Sequence, residues 1–367
     1  MLKRFYADNF RCLTNFELEL DEANVFLGAN GTGKTSVLEV LRKIQDLIAR
    51  GRRVGEAFPV RDLSLGRDRN TQRFGIEACI ERQSYRYELT VEHDRNQGKM
   101  RISKEVLEHD GRPIFELKMG EAQLYDDNYV PVPNTFPFDW TLSGIGTLYE
   151  RPNNRKLTRF KKEIANYIIV SSCPPVIEPE TRSADEFLEP LMDNFVGWFN
   201  RYSQENMGSI EGLFKALRES LPGFKSIRVR QSGETSHALK AEFVKSSDNT
   251  VEYGFDQLSD GQRALIVLYS LILLADDRVS LFIDEPDNYL SLREIQPWLA
   301  HAIEVCGESV EQIIIVSHHP VTIDYMAGAQ GRWFSRDGDG PVRVSNEAKT
   351  ESGGLSISDT IVRGWQE

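Results

Sequence analysis

The chain has 367 residues, 40% of them hydrophobic and 27% charged, which excludes wholesale disorder and allows a sizeable core without disulfide staples. Acidic residues outnumber basic ones 56 to 44, a formal charge of −12, so any nucleic-acid contact must use local basic patches. The 4 cysteines (Cys12, Cys79, Cys173, Cys306) are scattered without a CxxC pair, which excludes a zinc module or a disulfide framework and fits a reducing cytosol.

In chain order, Met1 to Asp8 lacks the apolar stretch of a signal peptide. Phe16 to Leu20 alternates apolar and polar residues as a half-buried strand does, and Asn24 to Leu27 reads as a short apolar strand ending at Gly28. After a glycine-rich loop, Val37, Leu38, Leu41, Ile44, Leu47 and Ile48 recur at helical spacing. Residues 73–118 change period and predict antiparallel strands, Phe74 to Ile80 and Tyr85 to Val91 among them. From about 120 to 250 the pattern is mixed: Pro131, Pro133 and Pro137 mark irregular chain, Lys161 to Val170 predicts a helix running into a strand, and 187–202 and 210–221 predict amphipathic helices. Beyond 255 the texture is α/β, with an apolar helix at 261–275, a buried strand at 280–283, a helix near 292–305 and a strand at 312–316. Ala264 to Ala275, the most apolar segment, is too short to span a bilayer, so a soluble cytoplasmic protein without membrane contact is expected.

Gly28-Ala29-Asn30-Gly31-Thr32-Gly33-Lys34-Thr35 fits the phosphate-loop pattern G-x-x-x-x-G-K-[ST], and it sits between a predicted strand and a predicted helix. Glycines let successive backbone N–H groups turn inward around phosphate oxygens at the positive end of a helix. Asn30, Gly31, Thr32, Gly33 and Ser36 are the expected cradle of ATP; Lys34 reaches its β- and γ-phosphates and the Thr35 hydroxyl ligates Mg²⁺. Ser280 to Pro286 is a buried strand ending in two carboxylates: Asp284 is expected in the Mg²⁺ shell and Glu285 to orient or deprotonate the attacking water. Leu258 to Arg263 opens the apolar helix with a serine suited to cap it. Ile313 to Pro320 is a strand ending in two histidines, a residue type that serves as a structural hydrogen-bonder or as a catalytic group.

Together these motifs resemble the ABC-type ATPase superfamily, in particular its RecF/SMC-like branch, over about 1–50 and 255–325. Leu-Ser-Asp-Gly-Gln at 258–262 is similar to the signature Leu-Ser-Gly-Gly-Gln, with Asp260 in place of the commonest glycine. The resemblance implies that Ser259 and Gly261 cap the γ-phosphate bound by another subunit. It implies that His318 is the switch histidine touching that phosphate, with His319 supporting the loop. It also implies that Asp287 to Ser291 is the loop crossing the dimer interface, Ser291 replacing the usual aspartate. Asn9-Phe10-Arg11 resembles the family's N-terminal element, which implies Arg11 near the phosphates over Phe10; a plain strand residue is the other reading. For the Mg²⁺-sensing glutamine, Gln72 and Gln83 both stand as candidates.

The implied architecture is an α/β ABC ATPase head, a P-loop NTPase with an N-terminal antiparallel β lobe (1–120), a mixed α/β insertion or lid (121–250) and a C-terminal ATPase lobe (251–367). Between Lys34 and Ser259 there are neither heptads nor CxxC, so no coiled-coil arm or zinc hook is expected. The stretch after His319 is too short for the Toprim nuclease domain that OLD-type proteins carry, so an effector is expected on a separate chain. Basic residues cluster at Arg151, Arg155, Lys156, Arg159, Lys161 and Lys162, and more loosely at Arg42, Lys43, Arg50, Arg52, Arg53, Arg61, Arg67, Arg69 and Arg73. They read either as phosphate-backbone surface or as solvated charge paired to neighbouring acids. The expected function is ATP hydrolysis by a dimer or higher homo-oligomer that controls a nuclease or toxin partner in anti-phage defence or genome maintenance. The alternatives are a RecF-type DNA-binding repair protein and an ATP-stabilised scaffold with little turnover.

Overall fold

The computed structural model describes residues 1–66, 69–133, 136–246, 249–275 and 278–346. They fall into two compact units: the first holds Met1–Glu22, Phe26–Tyr167 and a segment starting at Gln330, the second Ala23–Val25 and Ile168–Ala329. The division at Tyr167 falls inside the segment 121–250 read as one insertion, whose first third belongs with the N-terminal strands.

The first unit is built on an antiparallel sheet of 8 strands in the order Phe16–Glu19, Leu2–Asp8, Thr71–Ile80, Gln83–Asp94, Lys99–His109, Arg112–Lys118, Glu121–Leu124, Phe136–Pro137. Its longer strands alternate buried and more exposed residues, as an antiparallel sheet with one solvated face requires. Three of its turns have positive φ at both central residues, Glu81–Arg82, Asp110–Gly111 and Met119–Gly120. That is the backbone of the tight turn whose twist matches the flanking strands. The helices Val54–Ala57 and Arg155–Ala165 lie on the sheet, Phe160 against Tyr85 and Tyr87, and the helix Lys34–Ile48 packs on both of them, its Gln45 amide donating to the carbonyls of Ile164 and Tyr167. The hairpin Gly331–Ser335 with Arg343–Ser345 closes the unit, Phe334 packing on Phe16 and Phe26.

In the second unit the largely apolar and buried strands Val279–Asp284 and Val310–Val316 pair in parallel, the pattern of strands buried on both faces. The sheet continues to Ile168–Ser171 on one side and to Ala23–Val25 on the other. The helix Asp260–Leu273 is buried almost all round, from Ala264 to Ile272, and therefore carries the core. A smaller antiparallel sheet, Phe224–Gln231, His237–Ser246 and Asn249–Gly254, stands with the helix Ile210–Ser220. The longest helix among the described residues, Lys34–Ile48, has 15 residues, so no coiled-coil arm is present there. Among the same residues no helix is long and apolar enough to cross a membrane.

Candidate ATPase site

In the first unit the chain leaves the buried strand at Gly28 and enters the helix at Lys34. Gly28, Gly31 and Gly33 have φ of 144°, 80° and 95°, left-handed values that a side chain resists. Gly28 is also fixed by contact, since a Cβ there would lie 2.2 Å from the Phe334 carbonyl oxygen. Gly31 faces open space, and Ala29, Asn30, Gly31 and Thr35 are exposed, so the loop is open to a phosphate chain. Lys34 is 5% exposed, and its ammonium donates to Gly28 O (2.7 Å) and Ala29 O (3.0 Å), bracing the loop from inside. The Gly33 N-cap supplies no side-chain cap, which suits a helix start that receives an anion.

Asn9, Phe10 and Arg11 do not continue the first strand. They form a turn in which Asn9 (φ 63°) and Arg11 (φ 47°) are left-handed, so the reading of Arg11 as a plain strand residue is corrected. Asn9 anchors that turn by donating to Arg69 O and Thr71 O, and Phe10 packs edge-on against Phe58 and Phe74. Arg11 pairs with Glu39 (2.5 Å) and Asp62 (3.2 Å), and Lys43 pairs with Asp62 (2.9 Å). The neighbouring Cys12 thiol reaches the half-buried Ser36 hydroxyl at 3.8 Å and packs on Gly33. The turn is thus seated on the phosphate loop through Cys12, while the guanidinium of Arg11, 44% exposed, is held by Glu39 and Asp62.

Both candidate glutamines are engaged within the first unit. Gln72 is fully buried and donates to Asn9 O and Asp62 O, while its own oxygen takes a hydrogen bond from His93 Nε2. Burial lowers the His93 pKa to about 4 and keeps the ring neutral. Gln83 starts a strand and accepts from Arg159.

In the second unit the strand Val279–Asp284 ends in the two carboxylates, both half-buried. Glu285 turns left-handed (φ 51°), its N–H is held by Val316 O at 2.8 Å, and Asn288 donates to its Oε2 at 2.6 Å. Asp287, 7% exposed, accepts from the hydroxyls of Ser317 and Thr322 on either side of the exposed His318. The half-buried His319 donates its backbone N–H to Ser317 Oγ (2.9 Å).

Ser259 caps the apolar helix in a reciprocal box, Oγ accepting from Gln262 N (3.3 Å) and Gln262 Oε1 accepting from Ser259 N (3.0 Å). A hydroxyl that accepts from the helix keeps its proton for a phosphate oxygen. Asp260 pairs with Arg263, which also donates to Pro174 O at 2.9 Å, so the aspartate in the signature is turned onto its own helix. Gly261 packs on the next loop: a Cβ there would meet Tyr289 O at 3.1 Å.

The phosphate-loop motif lies between a strand and a helix, the carboxylates and histidines follow strand ends and the signature opens a helix, as the sequence predicts for these elements; the contacts of Asp287 and Asn288 have no sequence signal beyond their place just after Glu285. Of the two readings of the basic cluster at 151–162, the contacts favour charge paired to its neighbours. There Arg159 pairs with Glu81 and Lys162 with Glu150 (both 3.1 Å), Lys161 donates to Gly146 O and Leu148 O, and Lys156 lies 3.8 Å over the Tyr129 ring. Of the looser group, Lys43, Arg50, Arg52, Arg53 and Arg69 have acidic partners, Arg69 with Asp8 at 3.8 Å, and Arg69 and Arg73 line an open cleft with Arg343; Arg67 lies outside the described residues.

Residues 1–105 match the family model of the AAA ATPase domain, and residues 150–324 match the model described as AAA domain, putative AbiEii toxin, Type IV TA system. Among solved structures, the Smc head domain of Pyrococcus furiosus, with an extended coiled coil and bound to the C-terminal domain of ScpA, is similar over 100% of this chain and 99% of its own, at 11% identity and a TM-score of 0.50. The SMC head domain of Thermotoga maritima aligns over 94% of this chain and 98% of its own, at 12% identity and a TM-score of 0.46. No curated protein matches the sequence. Phosphate loop and fold define a P-loop ATPase with the head architecture of SMC proteins. The two matched AAA models support ATP hydrolase activity, and the likeness to SMC heads is one of fold.

Proposed function

We propose that the protein is an ATP-driven switch in which two copies close on bound nucleotide and reopen on hydrolysis, and that this cycle controls a separate partner. Within one copy, the backbone from Asn30 to Gly33 cradles the phosphates with Ser36, Lys34 holds the β- and γ-oxygens, and Arg11 approaches from the neighbouring turn. The hydroxyl of Thr35 in the first unit and the carboxylate of Asp284 in the second are hard oxygen donors of the kind that would hold Mg²⁺, which would supply neutralisation of the phosphate charge. Glu285 activates water and His318 touches the γ-phosphate, while Ser259 and Gly261 serve the nucleotide of the second copy.

The observation that carries this reading is the surface around Gly261. The signature helix start, with Ser259 exposed, lies against the loop of Tyr289 and the turn Pro174–Val176, and Val176, Tyr289 and Leu292 are 41%, 47% and 52% exposed, apolar surface suited to a second copy. Mg²⁺-ATP is expected to double the mass of Glu285→Gln in light scattering, and Tyr289→Arg with Leu292→Arg to hold it at the monomer mass without loss of ATP affinity. Persistence of the dimer in that variant would overturn the role of this face. A separate partner and a place in defence are supported by the ScpA-bound head of similar fold and by the toxin–antitoxin description attached to residues 150–324.

A second reading, ATP-dependent DNA binding, is favoured by one observation. Arg69, Arg73 and Arg343 line a polar cleft of about 560 Å³ beside Tyr6, Asp8, Thr14 and Asn15; Arg69 pairs with Asp8 at 3.8 Å, and Arg73 and Arg343 have no ion pair among the described residues. If DNA is the partner, the triple change to glutamate abolishes salt-sensitive duplex binding in a filter or anisotropy assay, because each lost phosphate contact lowers the salt slope by about 1. Unchanged binding would exclude this cleft.

A further inference from the structure

Asp287 is a carboxylate almost wholly withdrawn from water, a placement that costs free energy unless its hydrogen bonds are needed. Both donors to its Oδ2, the hydroxyls of Ser317 and Thr322, come from the segment that carries His318, one directly before it and one within the helix Pro320–Gln330. Ser317 Oγ in turn receives the His319 N–H, so one carboxyl oxygen organises the end of the strand Val310–Val316 and the start of the following helix. The next residue acts in the opposite direction. Asn288 donates to Glu285 Oε2 at 2.6 Å, and its backbone N–H returns to Glu285 O at 3.2 Å, a local turn that holds the left-handed Glu285. The turn also reaches the signature helix, because the Tyr289 carbonyl, at φ 72°, packs on Gly261.

We infer that Asp287 and Asn288 are positioning residues for ATP hydrolysis. Asp287 sets His318 through Ser317 and Thr322, Asn288 sets the Glu285 carboxylate, and their adjacency in one turn makes both groups move together. The inference rests on the roles proposed above for Glu285 and His318. Asp287 itself touches no reacting atom; a structural clamp of the same strength would stabilise the chain without acting through the histidine.

The test uses the full chain and reads ATP affinity, kcat, thermal unfolding and amide hydrogen exchange over residues 316–322. Asp287→Ala is expected to lower kcat about 10²-fold, the cost of misplacing a catalytic group by about 1 Å. ATP affinity should stay within a few-fold, and exchange around His319 should rise without nucleotide. Combined with His318→Ala, it is expected to lower kcat no further than the worse single change, as groups acting through one another do. Asp287→Asn, which keeps one accepting oxygen, should restore part of the rate. Asn288→Ala is expected to lower kcat with affinity unchanged. If Asp287→Ala does not fold, Ser317→Ala carries the same comparison with the carboxylate still held by Thr322. Losses that add in full with His318→Ala, or a wild-type kcat in Asp287→Ala and Ser317→Ala, would overturn the inference while Glu285→Gln and His318→Ala stay inactive. Wild-type turnover in those two variants would instead refute the site on which it rests, and this inference with it.

Discussion

Glu285→Gln is expected to lower ATP turnover by about 10²–10⁴-fold, the range over which a positioned general base acts, with ATP affinity changed only a few-fold. The substitution keeps the shape of the side chain and one oxygen for the Asn288 amide, so the turn from Glu285 to Tyr289 should persist. What it removes is the basic oxygen at a position whose backbone is unusual. Glu285 is left-handed at the end of a strand otherwise buried and extended, and Val316 O holds its N–H there. Outside glycine that conformation is uncommon, and its use here aims the carboxylate away from the strand's regular alternation. Single-turnover phosphate release separates the chemical step from nucleotide exchange. A rate within about threefold of wild type would remove Glu285 from the chemistry, because far less than ~1.4 kcal/mol of barrier would then depend on it.

The core elements were legible where one physical demand dominates a stretch of chain. The helix Lys34–Ile48 and the strands Val279–Asp284 and Val310–Val316 bury apolar residues in the periods their sequences display. Less was visible where burial is partial. Phe224–Gln231 and His237–Ser246 carry Lys225, Arg228, Arg230, Lys240 and Glu242 on the exposed side, and their pairing depends on partners distant in sequence. The tight turn at Glu81–Arg82 uses neither glycine nor asparagine, so tertiary pairing of the strands imposes a left-handed backbone that local sequence does not announce. The helix expected from 187 begins only at Phe195, because Asn194 uses its side chain to bind Phe187 O and Glu189 N in the preceding loop.

At the site the contrast is similar. A phosphate loop is written in residue type, since glycine, lysine and threonine are each demanded by the ligand's chemistry. Asp287 and Asn288 act through neighbours that only the fold supplies, Ser317 and Thr322 among them. The basic cluster at 151–162 could be read in two ways from sequence, and only the fold decides between them. Charge that is dense in sequence is spent on Glu81, Glu150 and main-chain carbonyls, whereas Arg343 joins Arg69 and Arg73 from the far end of the chain.

Lys34→Met is expected to separate folding from nucleotide binding. The ammonium is buried at the positive end of a helix, a position unfavourable to a cation, and here it rests on the carbonyls of Gly28 and Ala29. Methionine fills the same space without charge. Releasing two carbonyls costs about 1–3 kcal/mol, and removing a buried charge from a helix N-terminus returns a similar amount. The melting temperature without nucleotide should therefore move little in either direction. ATP meets the opposite balance, because the triphosphate then lacks its main cationic partner in the loop. Breaking one side of such a buried charge pair costs about 3–5 kcal/mol, which corresponds to ATP binding weaker by about 10²–10³-fold or more. In thermal unfolding, the stabilisation of about 2.7 kcal/mol that ligand at 100 times its Kd confers should disappear from the variant. A variant that melts far below wild type without ATP, yet keeps the full ATP-induced shift, would make Lys34 a brace of the loop and move phosphate recognition to the backbone of Asn30 to Gly33.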